Sequence, residues 1–256
     1  MSDDRNNGAL RDKYRAKVVS ITHPKGWHKA KVRVLVLWDH IEDDDLPWAE
    51  YLLPLGARSK EGEAMPCKID DLVWLEFPIS GDTRSPLIVG SCYRIIEGES
   101  ELPQDLFKPV YEHKRTGKQP PAPTAAYGDS TTDLNGILNQ ITMNGAWCLT
   151  HKATGTAVNV TKDGQLVLHT EGDSFSSTTG THTEEVTKDL ISNVGGKLNV
   201  HVIGDALIKA DANLTVEAGA DMLLKSGGKC TVDAGGPLML KGSMISGKSG
   251  GGYDFK

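Results

Sequence analysis

The sequence predicts an all-β protein in two parts, a small closed barrel near the N-terminus and a strand-and-bend solenoid at the C-terminus. Three observations predict it: an eight-residue repeat over 195–242, five short β-rich runs over 14–96, and a proline-rich stretch over 97–130 that keeps the two patterns apart.

The repeat decides the architecture of the C-terminal part before any single residue is interpreted. From Gly195 the chain divides into GGKLNVHV, IGDALIKA, DANLTVEA, GADMLLKS, GGKCTVDA and GGPLMLKG, six consecutive octads without an insertion. The fourth place holds Leu198, Ala206, Leu214, Met222, Cys230 and Leu238; the sixth holds Val200, Ile208, Val216, Leu224, Val232 and Leu240. All of these are apolar, and residues two apart on an extended chain point to the same side. They are the candidate core. The seventh place reads His201, Lys209, Glu217, Lys225, Asp233 and Lys241, a solvent position.

Glycines at the octad boundaries, such as Gly195-Gly196 and Gly227-Gly228, supply the bends. A helix is excluded, because apolar places at i, i+2 and i+8 do not share a face at 3.6 residues per turn. Two apolar side chains return less than the backbone entropy lost on ordering eight residues, so one octad cannot stand alone. Either one chain coiling on itself or three chains wrapped about one axis would supply the missing neighbours. Periodicity does not choose between them.

The barrel rests on the runs YRAKVVSIT, KAKVRVLVLW, EYLLPLG, DLVWLEF and PLIVGSCYR. Lys31 and Arg33 alternate with Val32, Val34 and Val36, the pattern of a half-buried antiparallel strand. Five strands in some 80 residues predict an OB-type barrel over 14–96. Residues 1–13 form an N-terminal arm. Residues 97–130, with Pro103, Pro109, Pro120, Pro121 and Pro123, read as an extended linker. Within 131–194, expected to be irregular β structure leading into the repeat, AVNVTKDGQLVLHT carries an Asp163-Gly164 hairpin signal. Residues 243–256 follow the octads.

The 256 residues hold 28 basic and 34 acidic side chains, a net charge of -6, which argues against nucleic acid or an anionic membrane as main partner. The opening MSDDRNNGALRDKYR has no apolar core and no run of 18 apolar residues occurs, so neither a secretory leader nor a membrane span is expected. Cys67, Cys92, Cys148 and Cys230 lack metal-ligand spacing and read as reduced core residues. His23 and His28 flank a Pro24-Gly26 turn without a third ligand at matching spacing, and Glu42, Asp43, Asp44 and Asp45 lack the glycine and terminal glutamate of a calcium loop. Nothing places Glu76 and Asp82 across a cleft as a glycosidase pair. Trp27, Trp38, Trp48 and Trp74 are expected in packing, with no basic residues interleaved among them for stacking on bases. No metal, cofactor or catalytic residue is expected.

The run DDLVWLEFPISGDTRSPLIVGSCYR resembles the OB domain of the central baseplate spike proteins of contractile-tailed bacteriophages, the baseplate assembly protein V type. Glycine-punctuated octads are the second half of the same pattern, and the valine-glycine-repeat spikes of type VI secretion share the plan. The resemblance implies a homotrimer: three OB domains attached to a baseplate hub, and three C-terminal segments wound into an intertwined triple-stranded β-helix that pierces the host outer membrane on sheath contraction. It implies a structural protein of the virion tail, synthesised in the host cytoplasm, and no enzyme.

The departures from the family are specific. Residues 97–130 are too few for an inserted cell-wall-cleaving domain with its own core. None of the eight histidines has another two residues away, so an iron-binding tip is not expected. The octad rule breaks after Gly242, where the fourth and sixth places become Ser246 and Lys248. A blunt end over 243–256, capped by a separate small tip protein, follows. The runners-up are a spike of a phage-derived bacterial injection particle and, further off, an OB-fold nucleic-acid binder. A left-handed β-helix acyltransferase is disfavoured because its period is six.

Overall fold

The computed structural model describes residue 10, residues 12–106 and residues 108–247, so the N-terminal arm and the blunt tip lie for the most part outside the described residues. The chain forms two units, Met1–Thr181 and His182–Lys256.

The first unit opens with β1 (Tyr14–Ser20), β2 (Ala30–Val34), β3 (Trp48–Tyr51), β4 (Leu72–Glu76) and β5 (Leu87–Ser91), closed into a barrel in the order β1-β2-β3-β5-β4. Strands β3 and β5 run parallel, with Glu50 opposite Leu87, and β4 returns to β1 with Ala16 opposite Val73. That order is the OB arrangement expected from the five runs. Alternation drives it: Ala16 and Val18, then Ala30, Val32 and Val34, then Val73 and Leu75 point into one core with Trp38, Leu46, Phe77 and Ile88.

Two strand ends differ from the sequence expectation. The second strand stops at Val34 rather than running to Trp38, because the chain turns there: the Trp38 N–H donates to the Val34 carbonyl at 3.0 Å, and the Trp38 ring meets Phe77 edge-on at 5.8 Å. Arg33 holds the turn, donating to the carbonyls of Trp38 and Ile41 and to the Asp43 carboxylate. The third strand stops at Tyr51, ahead of Pro54, which has no N–H to continue a ladder. Val36 takes a φ of 71° with 82 % of its surface exposed, a left-handed conformation that a β-branched side chain resists. Val36→Gly is therefore expected to stabilise the protein by about 1 kcal/mol, seen as a higher urea midpoint at unchanged slope.

Residues 97–130, expected as a plain linker, carry local structure. Strands β6 (Ile95–Ile96) and β7 (Glu99–Ser100) pair, and a 3-10 turn at Gln104–Leu106 buries Asp105. Nor are residues 131–194 irregular throughout. Strands β8 (Ser130–Leu134), β9 (Ile137–Ile141), β10 (Trp147–His151), β11 (Ala157–Val160) and β12 (Leu166–His169) form a five-stranded antiparallel meander in sequence order. The hairpin expected at Asp163-Gly164 is its last turn, with Gly164 at a φ of 80°.

One face of this meander is buried beneath the 105–126 segment. His113 Nδ1 lies 3.3 Å from Thr150 Oγ1, and Arg115 donates toward Cys148 Sγ at 3.9 Å. The covered face is mixed: Thr131, Gln140, Cys148, Asn159 and Val167 lie in register across the sheet, with Leu138, Thr150 and Ala157 buried in the next row. Thr131 Oγ1, Gln140 Oε1 and both side-chain polar atoms of Asn159 have no protein partner. Asn159 borders a cavity of about 500 Å³ under Pro120–Pro123, room for ordered waters to complete its own bonds.

Candidate assembly surfaces

The barrel presents an aromatic and lysine cluster built by the β1–β2 connection and β3. A turn closed by the Gly26 N–H on the His23 carbonyl at 2.8 Å folds that connection back on itself. The His23 ring then stacks on Trp27 at 4.9 Å and meets Trp48 edge-on at 4.7 Å. Lys25 and Lys29 stand over Trp27 at 5.0 and 5.5 Å, and Lys31, paired with Trp48 across β2 and β3, stands over that ring at 5.3 Å. These are cation–π distances. The expectation that no basic residues interleave with the tryptophans is thus corrected, because the interleaving arises from a turn and a cross-strand register rather than from sequence adjacency. Two of the three lysines are already engaged: Lys29 pairs with Glu50 at 2.8 Å and Lys31 donates to the Asp44 carbonyl at 3.0 Å.

The remaining candidate residues are held in local contacts. His23 Nδ1 accepts the Lys25 N–H at 3.1 Å, and the His28 ring tilts against Tyr51 at 4.9 Å. Asp43 pairs with Arg33. Asp82 is chelated by Arg84, whose hydrogen bonds hold its carboxyl down to about 2, while Glu76 pairs with Lys13 at 3.2 Å. The two carboxylates thus serve different cations. Cys67 and Cys148 are buried, and all four cysteines are free. Burial pushes the Cys67 thiol upward against a hydrogen bond with Tyr51.

Sequence reasoning missed an ion-pair clamp. Lys152 Nζ donates to Asp105 at 2.8 Å and to Asp133 at 2.7 Å, tying the segment after the barrel to the meander. Asp105 also accepts the N–H groups of Val110 and Tyr111, at 3.1 and 2.9 Å. No spacing signal announces it, since 47 residues separate Asp105 from Lys152.

In the repeat the backbone bends sharply at 171–172, 179–180, 187–188 and so on every eight residues to 235–236. The period therefore begins three octads earlier than the sequence reading placed it. The earlier octads escaped notice because their fourth and sixth places hold Ser174, Ser176, His182, Glu184 and Ser192, with Leu190 alone apolar. Between bends the chain has no regular secondary structure, and no strand pairing occurs among the described residues of 170–247. The candidate core residues are all exposed in this single copy, from 53 % at Met222 to 81 % at Ile208 among the large ones, and Cys230 with them. The physical reason is that a lone ribbon of octads has no opposite face against which to bury two side chains per repeat.

Residues 14–93 match the family described as the Type VI secretion system/phage-baseplate injector OB domain. The barrel of this chain is similar to an injector OB domain. The match begins at the first residue of β1 and ends just past β5, so the family boundary and the structural boundary coincide. It supports a structural, baseplate-associated role for the injector OB domain. No match to the chain is found among curated proteins. Among the described residues, no helix is long and apolar enough to cross a membrane.

Proposed function

We propose that the chain is the central spike of a contractile-tail baseplate. Three copies assemble, their injector OB domains attach to the hub protein, and their octads wind into a triple-stranded β-helix driven through the host outer membrane when the sheath contracts. The observation that carries this reading is a barrel similar to an injector OB domain joined in one chain to octads that bend every eight residues and leave their apolar places bare in a single copy. Wound together, three such ribbons supply each octad with strands above and below and with apolar faces opposite. A needle of this kind has a dry core and hydrogen-bonded rungs along its length, and therefore no hinge at which to buckle. The protein acts mechanically rather than as an enzyme, with a separate tip protein capping the end beyond Gly242, and its place is the virion tail.

A spike of a phage-derived bacterial injection particle is the second reading, favoured by a family description that spans both kinds of machine. The aromatic and lysine cluster on the barrel is the feature a strand-binding OB domain would use. Its internal pairing and the net charge of -6 favour a protein hub instead. Light scattering on the purified chain tests the spike: a mass near three times 27.6 kDa that persists in detergent supports it, and a single-chain mass removes it.

A further inference from the structure

The meander β8–β12 carries apolar side chains on both faces. Its covered face buries Leu138, Cys148, Ala157 and Val167 among the polar Gln140, Thr150 and Asn159, whereas the face turned to solvent carries Ile141, Trp147, Leu149, Val160, Leu166 and Leu168, aligned by the register Ile141–Trp147–Val160–Leu166 and Leu149–Val158–Leu168. Leu166 and Leu168 are 64 % and 67 % exposed. No Lys, Arg, Asp or Glu stands on this face, and the one polar hydrogen of Trp147 is satisfied within it, donated to Asn139 at 2.8 Å.

We propose that this face is a second self-association surface, at which the copies of the chain meet ahead of the octads; the inference rests on the three-copy reading of the repeat. The occupant is another copy for three reasons. A face without formal charge meets its own copy without like-charge repulsion, whereas it offers a charged partner nothing. The chain's own 105–126 segment already covers the other face, so this one is what the meander has left to present. The meander also runs directly into the repeat, with β12 ending at His169 and the first bend at 171–172, so copies joined along the octads are already joined next to this sheet in sequence. Five strands about 4.8 Å apart and five residues long at about 3.3 Å each span roughly 400 Å². That matches the largest apolar patch of an ordinary monomer and is about half of what one partner of a stable interface buries. The face therefore sets the alignment of the copies and the octads supply the remaining area.

Leu168→Lys tests the surface. In a lone chain this side chain is mostly in water, so the substitution leaves the single-copy fold unchanged by circular dichroism; in the assembly it buries an unpaired ammonium. The expected result is a three-chain wild type and a loss of association of about tenfold or more in the variant. A second variant, Leu149→Cys with Cys92→Ser and Cys230→Ala, the last copying the Ala206 of another octad, is treated with a short bis-maleimide. Bands of two and three chains support the proposal, rapid modification without crosslinks opposes it, and the crosslink decides where the variants disagree. A three-chain wild type with Leu168→Lys unchanged and Leu149→Cys uncrosslinked overturns this inference alone and gives the face to another baseplate protein. A single-chain wild type overturns both this inference and the spike.

Discussion

Val216→Asp is expected to abolish the three-chain species. Val216 occupies the sixth place of an octad in the middle of the repeat, 65 % exposed in one copy and covered only if copies wind together. A carboxylate there has no cation at the neighbouring fourth place, Leu214, nor at the sixth places of the adjoining octads, Ile208 and Leu224. Burying it costs about 3 kcal/mol or more per copy, and the proposed three-chain assembly would carry the change three times. Light scattering should show a single-chain mass, while the OB barrel keeps its own unfolding transition. Glu217→Lys, one residue along at the seventh place, is the matched control and should leave the mass unchanged. Equal loss in both variants would mean that the sixth place is not a core position.

Lys152→Met carries the second large effect. Asp105 is 4 % exposed and depends on Lys152 for its charge partner. Removing one member of a buried pair leaves the other charged and unpaired, at a cost of about 3–5 kcal/mol. In a unit of this size that lowers the melting temperature by roughly 10 °C. The sign of the pH dependence follows from the shifts. Burial pushes the Asp105 carboxyl up, but hydrogen bonds from Lys152, Tyr111 and Val110 outweigh it, so its folded value lies below the usual one. The stability it contributes is present above the unfolded carboxylate value, about 3.9, and is lost as pH falls through the folded value. Hydrogen bonds to Asp105 and Asp133 raise Lys152, so its contribution is full below about 10.4 and disappears as pH rises through the folded value. Thermal melts from pH 2 to 11 should therefore show a plateau whose acid edge is shallower in Asp105→Asn, the lowered carboxyls of Asp82, Glu101 and Glu171 supplying the rest.

Legibility followed the range of the forces involved. The barrel was readable because alternation within β1, β2 and β4 is a local consequence of strand geometry, and the strand motif ending in Ser85–Arg94 carried its family. The strand after Ala30 was read too long because apolar residues continue to Trp38, and only the fold tells Val34, in the core, from Val36, in water. The meander is half legible: the Asp163-Gly164 turn is chemistry within four residues, whereas which of its two faces is buried is set by the side on which the 105–126 segment lies. The lysines over Trp27 and Trp48, and Lys152 between two aspartates, are likewise products of tertiary placement. The octads from 171 to 194 were hidden for the opposite reason, since their period survives in the backbone while the side chains that advertise it are gone.

The unbroken phase of the bends makes length a quantised property of this chain. Nine bend pairs fall at one interval from 171–172 to 235–236. Inserting a single residue would turn every later side chain over, since neighbours on an extended strand face opposite ways. Removing a whole octad would restore the phase within one turn and leave the barrel untouched. The repeat can therefore be lengthened or shortened in phase only in steps of eight residues, and in the proposed spike a change of reach would come by duplicating or deleting a unit rather than by redesigning a surface.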